Sequence, residues 1–233
     1  MLQIYQYRSD IGLSEERERE YLERLPVALR ITIRRYRRRE DRQASLFGKL
    51  LLLHALRNRN PEWDFSILER LEDAERGKPF IRGAPDFNIS HSGKIVVLAL
   101  VDDGTIGIDV EKIRPIQMVV LSSYLPEVSA LDAFDVSERQ NMFYACWTKK
   151  EAVLKGEGSG LQGPLEQVKL YGDTAFFRDQ VWYLNKIDFG VDYCCHVATS
   201  EHHAGCTVEV VYFERGDLLN LAQAHQYDNL QPK

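Results

Sequence analysis

The chain has 233 residues, 44% of them hydrophobic, enough for one large domain or two small ones around a buried core. Its net charge of −5 excludes a wholly basic nucleic-acid binder, and its longest apolar run, Ile95 to Val101, is too short to cross a bilayer. The start, Met1 to Arg8, has no apolar targeting core, and Cys146, Cys194, Cys195 and Cys206 form no Cys-x-x-Cys pair, so they read as packing residues in a reducing cytoplasm.

In chain order, Leu2 to Tyr7 alternates weakly and predicts a first strand. Ser14 to Leu25 and Arg39 to Arg57 predict helices, the second with Leu46, Leu50, Leu53 and His54 along one side. Ser66 to Glu72 reads as a strand, and Gly77, Pro79, Gly83 and Pro85 break the next stretch into turns. Asp86 to Ser90 predicts a short strand ending in a turn at His91-Ser92-Gly93, and Ile95 to Val101 a buried strand. Asp102-Asp103-Gly104 is a hairpin turn, returning along Thr105 to Val110. A long helix follows over Ser137 to Lys155, with Ser137 as a weak cap, then a glycine-rich loop from Gly156 to Gly163. Strands are expected at Val168 to Tyr171, Val181 to Ile187, Tyr193 to Thr199 and Thr207 to Phe213, a helix at Asp217 to Ala224, and a loose tail from Gln226. Helices mixed with antiparallel strands in each half make this an α+β chain.

Three constellations carry chemistry. In Gly107-Ile108-Asp109-Val110-Glu111, residues two apart share a strand face, so both carboxylates project together. That is either a solvated face or a seat for a divalent cation. In Trp147 to Lys155, Trp147, Glu151 and Lys155 stack at helical spacing. Glu151 and Lys155 could be an ordinary helix pair, but Glu151 continues the apolar Phe143–Trp147 stripe, where an isolated charge is costly. Asp109, Glu111 and Glu151 offer oxygen ligands alone, which select magnesium or manganese over zinc. In Asn88-Ile89-Ser90-His91-Ser92-Gly93, preceded by Arg76-Gly77-Lys78-Pro79, hydroxyls and backbone N–H groups suit phosphate oxygens. A strand-end turn is the plainer reading. The run Arg34 to Arg39 is a solvated face or a contact for a polyanion, and Gly156 to Gly160 lacks the lysine of a P-loop.

Taken in order, Phe87 to Ser92, Gly107 to Glu111, Trp147 to Lys155 and Gly158-Ser159-Gly160-Leu161 resemble the patterns of the Sfp-type 4'-phosphopantetheinyl transferases. The resemblance runs from about Leu2 to Glu214 and is strongest from Lys78 to Leu161. It implies two similar α+β subdomains, each with a small antiparallel sheet and helices, residues 1–103 and 104–233, with the active site in the cleft between them. It implies that Asp109, Glu111 and Glu151 hold the metal, that Lys155 sits at the reacting phosphate, and that Ser45, Lys78, Ser90 and His91 contact coenzyme A. The family often places lysines before the first long helix for the adenosine phosphates; Leu29 and Thr32 stand there instead, with Arg30, Arg34 or Arg35 as substitutes.

The expected activity is magnesium-dependent transfer of 4'-phosphopantetheine from coenzyme A to a serine of an acyl or peptidyl carrier protein, releasing adenosine 3',5'-bisphosphate. Glu151 would be the base and Lys155 the group at the leaving nucleotide. The carriers would belong to fatty-acid, polyketide or nonribosomal peptide synthases and engage the segment from Lys155 to Phe189 of a cytoplasmic monomer. No nucleic-acid or membrane partner is expected. The competing readings are a metal-dependent nuclease or phosphohydrolase, and an inactive carrier-binding module.

Overall fold

The computed structural model describes residues 1–8, 13–115, 135–160, 163–203, 205–210 and 225–228. Its elements are β1 (Leu2–Arg8), α1 (Glu15–Arg24), α2 (Val27–Arg34), α3 (Arg39–Arg59), β2 (Leu71–Asp73), β3 (Pro79–Ile81), β4 (Asp86–Ser92), β5 (Ile95–Val101) and β6 (Ile106–Lys112). Then come α4 (Val136–Glu157), β7 (Lys169–Tyr171), β8 (Thr174–Phe177), β9 (Gln180–Lys186), β10 (Tyr193–Thr199), β11 (Cys206–Val210) and β12 (His225–Asp228). None of the described helices is long and apolar enough to cross a membrane.

Two five-stranded sheets carry the fold, in the orders β12-β11-β1-β5-β4 and β6-β10-β9-β8-β7. Every residue of β5 is buried. Ile95, Val97, Ala99 and Val101 face one core, while Val96, Leu98 and Leu100 face another under α3. This two-sided burial is why the strand reads as a continuous apolar run. The first core is shared by both sheets: it joins Leu2 and Ile4 of β1 to Ile106, Ile108 and Val110 of β6 and Cys195 and Val197 of β10. α4 covers the opposite face of the second sheet, with Ala152, Val153 and Leu154 against Ala175, Trp182 and Ala198. The architecture is α+β, but one pairing, β1 with β11, is parallel. β11 comes from the far end of the chain and completes the sheet of the first half, tied to α3 by His54 Nε2 at 2.7 Å from Glu209 Oε1.

Several elements differ from expectation. Phe65–Arg70 is a 3-10 turn, and only Leu71–Asp73 is strand. The Asp64 carboxylate accepts from Ser66 N–H and curls the chain before the strand begins. Asp86–Ser92 runs straight through the expected turn, because its side chains meet a partner strand described below. α2 and β8 were not foreseen. α4 starts at Val136, not at a cap on Ser137: Asp135 is its N-cap in a full capping box with Glu138, and Gly158 in the left-handed region (φ 101°) closes it. Residues 225–228 form a strand where a loose tail was expected. The expected helix from Asp217 to Ala224 and the end of the strand toward Phe213 lie outside the described residues. Cys194, Cys195 and Cys206 are buried and Cys146 is half-buried, and none of the four is in a disulfide.

Candidate active site

β4 and β6 lie side by side without sharing a backbone ladder. β6 is paired on one edge with β10. On its other edge, alternate side chains of β4 take the place of a neighbouring backbone. Asp86 Oδ2 accepts from Ile106 N–H (2.7 Å), Asn88 Oδ1 from Ile108 N–H (3.0 Å), Ser90 Oγ from Val110 N–H (3.3 Å) and Ser92 Oγ from Lys112 N–H (3.0 Å). The period of two in a strand puts these four polar residues on one face. They satisfy an edge that would otherwise be orphaned in the interior.

The two serines then reach the acids. Ser90 Oγ donates to Asp109 Oδ1 (3.0 Å) and Ser92 Oγ donates to Glu111 Oε2 (2.7 Å). Asp109 and Glu111 face α4, along with their cross-strand partners His196 and Cys194. From α4, Lys155 Nζ donates to Asp109 Oδ1 (2.5 Å) and to Ser90 Oγ (2.9 Å). Glu151, one turn earlier, is 1% exposed.

Electrostatics show how close the acids stand. Burial first, then the Asp109 charge, with Lys155 opposing and Glu111 adding, raise the Glu151 pKa to about 7 in all. Burial also raises Glu111, with Ser92 opposing and Asp109 adding. Both carboxyl oxygens of Glu151 and Oδ2 of Asp109 are buried with no hydrogen-bond partner. Buried oxygens in that state fit a ligand the protein does not supply, and a hard divalent cation matches their chemistry. Among the described residues no three acidic, histidine or cysteine side chains are drawn into a formed metal cluster.

The site residues expected from sequence divide into those brought together and those placed elsewhere. Ser90, Asp109 and Lys155 touch, with Glu111 and Glu151 coupled to them by charge. His91 is exposed at the rim; surrounding protein and Lys155 lower its pKa, while Asp41 of α3 and Asp109 oppose that. Ser45, half-buried, sits one helical turn after Asp41. Lys78 is the departure: its ammonium donates to Asp86 Oδ2 (2.5 Å), Ile106 O (2.9 Å) and Gly156 O (3.2 Å), so its expected contact with coenzyme A has no free N–H behind it. Arg34 and Arg35 are exposed at the end of α2.

Other contributors were missed from sequence. Asn88 and Ser92 read as part of a phosphate-holding turn and Asp86 as the start of a strand; that their side chains accept from the edge of β6 was not legible. Thr148 donates to Tyr144 O (2.7 Å) and stands 2.7 Å from His196 Nδ1, locking α4 onto β10. A cavity of about 830 Å³ opens on the opposite side of α4, lined by Met142, Lys149, Lys186 and His196 but by none of the acids above.

Comparison with known proteins shows the family. The family profile described as 4'-phosphopantetheinyl transferase, N-terminal, matches residues 15–102, and that of the 4'-phosphopantetheinyl transferase superfamily matches residues 105–207. The 4'-phosphopantetheinyl transferase Sfp of Bacillus subtilis is 36% identical over 178 residues, covering 74% of this chain and 78% of its own. The 4'-phosphopantetheinyl transferase psf-1 of Bacillus pumilus is 34% identical over 138 residues, 57% of each chain. The 4'-phosphopantetheinyl transferase AcpT of Escherichia coli K12 is 36% identical over 127 residues, 50% of this chain and 58% of its own.

Proposed function

We propose a division of labour for this chain, which belongs to the Sfp-type 4'-phosphopantetheinyl transferases and so moves the 4'-phosphopantetheine arm of coenzyme A onto a carrier protein. The observation that carries it is Lys155 Nζ resting 2.5 Å from Asp109 Oδ1 and 2.9 Å from Ser90 Oγ, which gathers a helix, a strand of the second sheet and a strand of the first at one point. The transferase halves would be residues 1–103 and 104–233, with β11 crossing back to complete the first sheet.

Asp109, Glu111 and Glu151 would hold a magnesium ion, with manganese as a substitute, through the oxygens that lack partners and the Glu111 carboxylate. When bound, the ion neutralises charge on the pyrophosphate as the β-phosphate is attacked. The chain's own groups do the rest. Ser45, Ser90 and His91 line coenzyme A. Glu151, held near neutrality, accepts the proton from the attacking carrier serine. The serine oxygen forms a bond to the β-phosphorus as its bond to the leaving adenosine 3',5'-bisphosphate breaks. Lys155 offers its charge to that leaving group. Carrier domains of fatty-acid, polyketide or nonribosomal peptide synthases would dock along residues 155–189, and the enzyme would work as a cytoplasmic monomer. Nothing in the site or the relatives favours a nuclease or a merely carrier-binding module.

The test is the mass of an apo carrier domain after incubation with this chain, coenzyme A and magnesium. The carrier is expected to gain one phosphopantetheine group, and Glu151→Gln is expected to abolish the gain. An unchanged carrier with the wild-type chain would overturn the reading.

A further inference from the structure

Lys78 lies in the short connection before β3, in the first half of the chain, yet its ammonium is buried between three elements, with 9% of the side chain exposed. A lysine has three N–H bonds. Here one goes to Asp86 at the start of β4, one to the Ile106 carbonyl at the start of β6, and one to the Gly156 carbonyl in the last turn of α4. Asp86 closes the group by also accepting from Ile106 N–H at 2.7 Å. The Gly156 carbonyl is one of the four that a helix leaves unsatisfied at its C-terminus, where a cation is favoured. Arg76, two residues before Lys78, and Arg178 both pair with Glu157 Oε1 on the next residue of the same turn. The last turn of α4 is therefore gripped from the first half of the chain, and the residue before Gly156 is Lys155.

We propose that Lys78 is a positioning residue: it fixes the last turn of α4 against β6 and so holds Lys155 over Asp109. This rests on the transferase reading above and changes the part Lys78 plays in it. Without the ammonium, Gly156 O and Ile106 O lose their shared donor, and Lys155 loses the anchor one residue away. Its reach to Asp109 is short, so a displacement of about an ångström is expected to slow the reaction by ten- to a hundredfold. Coenzyme A affinity should barely move.

The experiment measures kcat, KM and the calorimetric Kd for coenzyme A in Lys78→Met, Lys78→Arg and Asp86→Asn, using an apo carrier domain well below each variant's melting temperature. Lys78→Met and Asp86→Asn are expected to lose about tenfold or more in kcat, with Kd within about twofold, and Lys78→Arg to recover part of the loss. The double variant Lys78→Met with Asp86→Asn should lose little more than either alone, since both break one coupled group. A lysine that instead bound coenzyme A would show a raised Kd with kcat kept in Lys78→Met. It would also show a lowered Kd in Asp86→Asn, where it is released from its carboxylate; either result overturns the proposal. If Lys78→Met does not fold, Asp86→Asn decides alone: the proposal expects kcat to fall with Kd kept, and a lysine that bound coenzyme A would lower Kd instead. Failure of the transferase reading looks different: the wild-type chain would leave the carrier unmodified.

Discussion

Gly107 and Gly156 meet where α4 crosses β6, so closely that a Cβ on Gly107 would stand 1.9 Å from Ala152 O and 2.3 Å from Gly156 N. Gly107 shares its strand face with Asp109 and Glu111. The glycine lets the helix descend at one end of that face, and the acids that follow lie beneath Glu151 and Lys155. The glycine that opens the Gly-Ile-Asp-Val-Glu segment is there for the helix.

Gly107→Ala is therefore expected to force α4 off β6. The obstructing atoms are backbone, which cannot rotate away, so the cost should be about 3 kcal/mol. Urea unfolding measures it. A loss below about 1 kcal/mol would show that the helix can shift freely.

Glu151 sets a pH dependence in the metal-free protein. Its folded pKa, about 7, lies above the value of 4.5 for a free carboxyl. The native state thus binds an extra proton between those values, and its stability is fully present below pH 4.5 and declines as pH rises through 7. With a chelator, Glu151→Gln should be more stable than wild type at pH 8 by about 3 kcal/mol, and equal to it near pH 4. Magnesium should close the gap at pH 8, because it stabilises the wild type alone. Equal stability of the two proteins at pH 8 in chelator would contradict the buried, unpartnered carboxyl.

Lys155→Ala should lower kcat by about a hundredfold or more while changing the Kd for coenzyme A less than tenfold. The Lys155 charge also opposes the rise in the Glu151 pKa. Its loss should therefore move the acidic limb of the kcat profile to higher pH. A pure affinity defect with an unmoved profile would rule out the assigned role.

His196 is buried and neutral. Thr148 donates its proton to Tyr144 O, so His196 Nδ1 carries the hydrogen shared with Thr148. Burial, with Lys149 and Lys186, drives its pKa from 6.5 to about 3. Stability from this histidine is fully present above pH 6.5 and falls away as pH drops toward 3. Its loss should reach about 3 kcal/mol by pH 4. Comparing unfolding free energies of wild type and His196→Asn from pH 7 to pH 4 isolates it, with the wild type showing the steeper decline.

Asp135→Ala should cost about 1 kcal/mol by removing the N-cap of α4, and Ser137→Ala clearly less, since Ser137 only donates to Asp135. Equal losses by urea unfolding would return the cap to Ser137. The sequence pattern misplaced it because a serine before an apolar periodic run is a common start, whereas Asp135 and Glu138 show themselves as a box only once the helix bounds are known.

Much of the site was legible in the chain because strand and helix periods are local. Asp109 and Glu111 two apart, and Glu151 and Lys155 four apart, have their directions set by backbone geometry that neighbouring residues impose. The same holds for β5, whose seven apolar residues announce burial on both sides. α2 was not legible: Val27–Arg34 leaves Val27 and Ile31 exposed, so its apolar residues do not trace a buried stripe. β8 was missed because four residues, Thr174–Phe177, are too few for alternation to stand out.

The chain by itself determined which residues share a face, and with the order of its motifs it determined the family. Only the tertiary structure decided which faces meet: Lys155 with Ser90 across 65 positions, Lys155 with Asp109 across 46, and β11 alongside β1. It also decided that Lys78 serves Gly156, 78 positions away. The reason is physical. A local period fixes a side chain's direction, whereas its partner depends on how two sheets and a helix close around one core, and that closure is a property of every packed contact together.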